Sequence, residues 1–199
     1  MERNYETRIA DLVLQERADA SEPESRVMRG TAVVYNTPAD IGPFIETIAP
    51  GAFEDSITGE RNLRVLYAHN SQQHLASIQA GTLQVRDTEQ GMDVEFTVAD
   101  TTYGNDVLAL VRSGEVRGMS IGFFVRDEGD AFSFPSESPK PVRRIEQGEL
   151  IELTVTPIPA YQQTNVSTRE IDPRAVQRAA TMEPRPRYNM RKRELRIRR

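Results

Sequence analysis

A chain with no cysteine and only two histidines, His69 and His74, has few ways to make and break covalent bonds. Disulfides, thiolate nucleophiles and cysteine-ligated zinc are all excluded. Two histidines without further ligands at a typical spacing do not make a metal site, so neither a metal nor a cofactor is expected. Any nucleophile must be an oxygen or a nitrogen. The serine with the most distinctive surroundings is Ser120, in Gly118-Met119-Ser120-Ile121-Gly122. Glycines on both sides permit close backbone approach beside the hydroxyl, and the pattern has the letters of a G-x-S-x-G elbow. That elbow needs a strand, a turn and then a helix; here a helical pattern precedes and a β-rich run follows, so the α/β-hydrolase reading fails on context. Two readings of Ser120 remain: a nucleophile, or a serine in a glycine-bracketed strand.

A serine hydroxyl is unreactive at neutral pH without a neighbouring base, and imidazole titrates in the right range. His69 follows the apolar run LRVLYA at 63–68, either as that base or as a surface histidine at a strand end. His74, in Ser71-Gln72-Gln73-His74, reads as part of a polar loop. Glu152 lies within Leu150-Ile151-Glu152-Leu153-Thr154-Val155. On a strand it shares a face with Thr154, while Ile151 and Leu153 take the other face. Glu152 is thus either a solvated side chain or an acid that orients a histidine.

These residues have to be positioned by elements that the pattern also outlines. VMRGTAVVY at 27–35 predicts a strand ended by Asn36-Thr37-Pro38, and 44–48 a second short apolar segment before a helical turn near 53–57. Alternation around Glu89-Gln90-Gly91 predicts a hairpin at 82–98. Tyr103, Val107, Leu108, Leu110 and Val111 fall at helical spacing, with Thr101 or Thr102 to cap the start and Gly114 to end the helix. Strands are expected at 63–68, 117–125 and 150–158, and a strand or short helix at 9–14. The proline- and serine-rich stretch 127–141 reads as a flexible insert. The organisation that follows is an N-terminal segment 1–25, one domain at 26–169 and a basic C-terminal tail at 170–199.

The 199 residues carry 25 basic against 30 acidic side chains, a net charge of −5. Residues 182–199 hold eight basic and two acidic residues, which leaves about −11 on residues 1–181. An acidic body repels phosphate, so nucleic-acid binding is expected only through the tail, where it would depend steeply on salt. No apolar run approaches the roughly 20 residues of a bilayer span, and the N-terminus lacks the layout of a secretory signal, so no membrane partner is expected.

Four stretches in fixed order, IETIAPGAFEDSI, LYAHN, DTTYGNDVLALVRSGEVRGMSIGF and IELTVTPIPAYQQTNV, give the chain a family resemblance. From about residue 28 to 167 it resembles the prohead, or capsid maturation, proteases of tailed bacteriophages. The resemblance implies a serine endopeptidase of α+β fold, similar to the herpesvirus assemblins: a mainly antiparallel, β-barrel-like sheet surrounded by helices. It implies Ser120 as nucleophile, His69 as general base and Glu152 as the third member, with His74 outside the matching motifs. Backbone amides near Ser120, or Arg143 or Arg144, are candidate oxyanion donors. The implied partners are the major capsid protein and scaffold, with cleavage of the enzyme itself, action inside the prohead in the bacterial host cytoplasm, and a homodimer or higher oligomer. The tail then reads as a docking segment, a self-cleavage site or a solvated extension. The rival from another class is a non-catalytic assembly or scaffolding protein that keeps the fold.

Overall fold

Alternating apolar and polar residues build about half of the described residues into strands. In Gly91–Thr97, for example, Met92, Val94 and Phe96 are buried while Asp93 and Thr97 face water. A computed structural model describes residues 5–10, 15–16, 25–58 and 61–157. The strands are β1 (Tyr5–Ala10), β2 (Gln15–Glu16), β3 (Val27–Val34), β4 (Ala39–Asp40), β5 (Ile45–Ile48), β6 (Arg64–Tyr67), β7 (Asn70–Ser77), β8 (Leu83–Asp87), β9 (Gly91–Thr97), β10 (Gly118–Val125), β11 (Asp130–Ser133), β12 (Val142–Ile145) and β13 (Gly148–Thr156). The helices among the described residues are α1 (Glu54–Thr58) and α2 (Thr102–Arg112).

The strands form three open sheets, in the orders β1-β10-β13-β6-β7, β11-β12-β5-β4 and β2-β3-β9-β8. The expected barrel-like closure is therefore not formed: among the described residues the five-stranded sheet ends on β1 and β7, which do not pair with each other. β10 packs on β3 and β7 on β9, and the space between is filled by Met28, Val94, Phe96, Met119, Ile121 and Leu153 with their neighbours. The hairpin expected at 82–98 is β8–β9, and Asp130–Ser133 within the 127–141 stretch is strand β11. The basic tail and residues 9–14, apart from Ile9 and Ala10 in β1, lie outside the described residues.

The polar run at 71–74 is a strand, not a loop. It belongs to β7, the sheet edge, where one row of side chains can face water without cost, so its polarity concealed its pairing with β6. The α2 helix runs Thr102–Arg112 and ends where its periodicity and Gly114 suggest. Its N-cap is Thr101, whose side chain accepts from the Gly104 amide at 3.0 Å, and its last turn closes on Gly114 at φ +78°. Four residues later β10 begins, so the helix delivers Ser120 as the third residue of that strand.

A charged cluster fastens β1 and β12 together through β5. Arg143 and Glu46 are both almost fully buried, 3.0 Å apart; Arg143 also donates to Glu6 at 2.7 Å and to Asp130 at 2.6 Å, and Arg8 donates to Glu46 at 2.8 Å. Burial alone would push the Glu6 carboxyl up, but the hydrogen bonds and charges of Arg143 and Arg8 hold it below the ordinary carboxylate value. Taking one partner out of a buried pair leaves an uncompensated charge. Arg143→Met is expected to lower the unfolding free energy by about 3–5 kcal/mol in a urea titration. A loss below about 1 kcal/mol would mean that water already solvates the cluster.

Candidate active site

β10 and β13 are the second and third strands of a five-stranded sheet, and around Ser120 and Glu152 successive residues of both strands are buried, so both faces are covered there. Ser120 is completely buried and Glu152 nearly so, 5 % exposed, which rules out the solvated-face reading of Glu152. The antiparallel register sets Ser120 opposite Thr154 and Gly122 opposite Glu152. Directly opposed residues share a face, so the serine and the carboxylate lie on the same side of the sheet, one pair of residues apart.

His69 reaches that face from a turn. Ala68 and His69 link β6 to β7 with φ of +50° and +58°, the left-handed values a two-residue hairpin turn of type I′ demands at both positions. Such turns favour Asn and Gly, and a non-glycine residue held there costs roughly 1–2 kcal/mol. The conformation is held in place from β13: β6 runs parallel to it with Tyr67 opposite Val155, and the Ala68 amide donates to the Val155 carbonyl at 2.9 Å. The strand that carries Glu152 thus also anchors the turn that carries His69.

The two side chains meet directly, His69 Nδ1 on Glu152 Oε1. Thr154 donates to Oε2 at 3.0 Å, and the Tyr5 hydroxyl donates to Oε1 at 2.7 Å. Burial pushes the Glu152 carboxyl up, but the hydrogen bonds from His69 and Tyr5, the charge of His69 and the bond from Thr154 outweigh it and hold the group below its ordinary value. An ionised carboxylate only accepts hydrogen bonds. The proton in this contact therefore sits on Nδ1, and in the neutral imidazole Nε2 is left with the lone pair that a general base uses.

The Ser120 hydroxyl donates to the Arg8 carbonyl of β1 at 2.9 Å, its hydrogen bond among the described residues. The structure brings His69 and Glu152 into contact and sets Ser120 on the adjacent strand with its proton directed to β1. His74 is exposed on β7, and its carbonyl accepts from the Tyr103 hydroxyl at 3.2 Å. Arg143 is engaged through all three of its guanidinium nitrogens by Asp130, Glu6 and Glu46, and Arg144 donates to Asn36 at 3.0 Å.

Sequence reasoning missed Tyr5 and the Arg8 carbonyl, since both reach the site from more than a hundred residues away and a lone N-terminal tyrosine carries no signal. Gly122 was visible as a glycine beside a serine. Its structural reason is different: a Cβ there would fall 1.8 Å from the Tyr5 hydroxyl and 2.9 Å from Glu152 Cγ.

Residues 12–178 match the family of caudovirus prohead serine proteases. That span is most of the chain, and the chain belongs to this family, whose role is that of a capsid-maturation serine protease. No curated protein and no solved structure matches the chain significantly. No described helix is long and apolar enough to cross a membrane.

Because the folded-state value of Glu152 lies below the ordinary one, its ionisation stabilises the fold above the usual carboxylate range and ceases to as pH falls through the depressed value. The stability gap between wild type and Glu152→Gln should shrink as pH drops below about 4.3. Chemical unfolding at a series of pH values measures it, and a gap that widens in acid would reverse the sign of the shift.

Proposed function

We propose that this chain is the maturation endopeptidase of a tailed-phage prohead, with Ser120 as nucleophile, His69 as general base and Glu152 as the acid that orients the base. The observation that carries the reading is the part-buried His69–Glu152 contact one residue pair from Ser120, in a chain of the prohead serine protease family. Reaction begins when the Ser120 hydroxyl leaves the Arg8 carbonyl for His69 Nε2. His69 takes the proton as Oγ attacks the scissile carbonyl, and returns it to the departing amine. Glu152, ionised and fixed by Thr154 and Tyr5, stabilises the imidazolium that forms between these steps. A water then repeats the sequence on the acyl-enzyme, and serine is regenerated.

The substrates on this reading are the scaffold, or the scaffold-like part of the major capsid protein, and the enzyme itself, cut inside the prohead within the bacterial host. Wild type and Ser120→Ala, each expressed alone and with capsid and scaffold proteins, are followed by intact mass. Discrete fragments with wild type and none with Ser120→Ala are expected, and Glu152→Gln should slow cleavage by about two to four orders of magnitude. Identical fragments from wild type and Ser120→Ala would remove Ser120 from the mechanism.

A non-catalytic assembly protein is the second reading, and the full burial of Ser120 with its proton on the Arg8 carbonyl is what favours it. It requires that wild type leave capsid and scaffold uncut even in assembled shells. The basic tail serves, on the protease reading, as the docking segment. Deleting 182–199 should leave peptidase activity intact and reduce the amount of enzyme recovered in purified proheads; equal recovery would end that assignment.

A further inference from the structure

Tyr5 precedes the region that matches the family, yet its hydroxyl reaches the centre of the site. It donates to Oε1 of Glu152, the same oxygen that meets His69 Nδ1, while Thr154 serves Oε2. Two features hold it there. Its ring packs edge-on against Phe124, centroids 5.6 Å apart, as its Cα partner in the β1–β10 register. Gly122, two residues before Phe124 on β10, supplies the space, since any Cβ at that position would displace the hydroxyl.

Serving the same oxygen has a chemical consequence. A carboxylate with only His69 and Thr154 as partners can rotate about its last bond and offer either oxygen to the imidazole; a second donor on Oε1 fixes the plane. Partial burial, then the hydrogen bond to Glu152 and its charge, push the Tyr5 phenol up, so it remains a protonated donor at any working pH. The titratable groups that face Glu152 are Tyr5 from β1 and His69 from the β6–β7 turn, with Thr154 as the neutral donor from β13 itself.

We propose that Tyr5 is a positioning residue for catalysis, fixing the Glu152 carboxylate so that its Oε1 holds the His69 ring in the orientation that directs Nε2 to the nucleophile. This rests on the assignment of His69 and Glu152 as base and orienting acid. It makes the N-terminal strand β1 part of the catalytic apparatus rather than a decoration on the sheet edge.

Tyr5→Phe keeps the ring against Phe124 and removes only the hydroxyl, so a purely structural role predicts wild-type behaviour. The expected result is a kcat for capsid-protein cleavage lower by about tenfold, KM unchanged, and the acid limb of the kcat/KM profile moved to higher pH because ionised Glu152 has lost a donor. In the Ser120→Ala background, carboxyl carbon NMR should show Glu152 titrating at higher pH in Tyr5→Phe than in its parent, a measurement that needs no cleavage. Wild-type kcat, an unmoved acid limb or an unmoved Glu152 titration each overturns the proposal. Ser120→Ala assayed alongside separates the two levels: persistent fragments there refute the nucleophile assignment, whereas their loss together with a wild-type Tyr5→Phe refutes only the role of Tyr5.

Discussion

A carboxylate on an interior strand is tolerated only when its charge and its lone pairs are matched, because stripping water from an unpaired ion costs several kcal/mol. Glu152 sits under that constraint, and the site is largely its solution. Its oxygens are taken up by His69, Tyr5 and Thr154, and no buried polar side-chain atom among the described residues is left without a partner. The partners come from three different strands or turns, so satisfying one carboxylate fixes the relative placement of β1, β13 and the β6–β7 turn. An interaction of this kind contributes little net stability against an apolar alternative. What it does contribute is a single orientation for an imidazole.

Position along the sheet does the rest. β13 carries Glu152, pairs antiparallel with the strand of Ser120 and parallel with the strand that precedes His69. Because side chains alternate, a slip of one residue between β10 and β13 would turn Ser120 to the opposite face, and a slip of two would carry it about 7 Å along the strand. The register is secured by the apolar side of the same strands, where Met119, Ile121, Leu153 and Val155 are buried to the last few per cent. Core packing on one face therefore sets the geometry of the polar residues on the other, and the strained Ala68-His69 turn is tolerated because the ladder to Val155 continues into it.

Elements with a strong local period were legible in the sequence: the hairpin that became β8–β9, the helix α2 with its Thr101 cap and Gly114 end, and the strands that carry Ser120 and Glu152. The sharing of a face by Glu152 and Thr154 followed from strand geometry alone. What stayed hidden was non-local. The polar edge strand β7 has too few apolar residues to announce itself, and the openness of the sheets depends on how β1 and β7 end them, which no local pattern encodes. Burial of Glu152 was invisible for a related reason. An acidic residue between Ile151 and Leu153 looks the same on a solvated face as on a covered one, and only what packs over that face decides.

β1 shows how these levels meet. Its side chains reach both sides of the sheet, with Glu6 and Arg8 in the buried ion cluster that ties it to β5 and β12, and Tyr5 at Glu152 on the side of Ser120. Its main chain contributes as well, since the Arg8 carbonyl accepts the Ser120 proton. On the proposed mechanism that hydroxyl gives up one hydrogen bond for another to an imidazole, a difference on the order of 1 kcal/mol. His69 and Glu152 are already in contact, so on the proposed mechanism the step that remains is to bring the buried Ser120 hydroxyl to His69. On that reading the larger obstacle is access of a peptide to a hydroxyl that is completely buried on its strand.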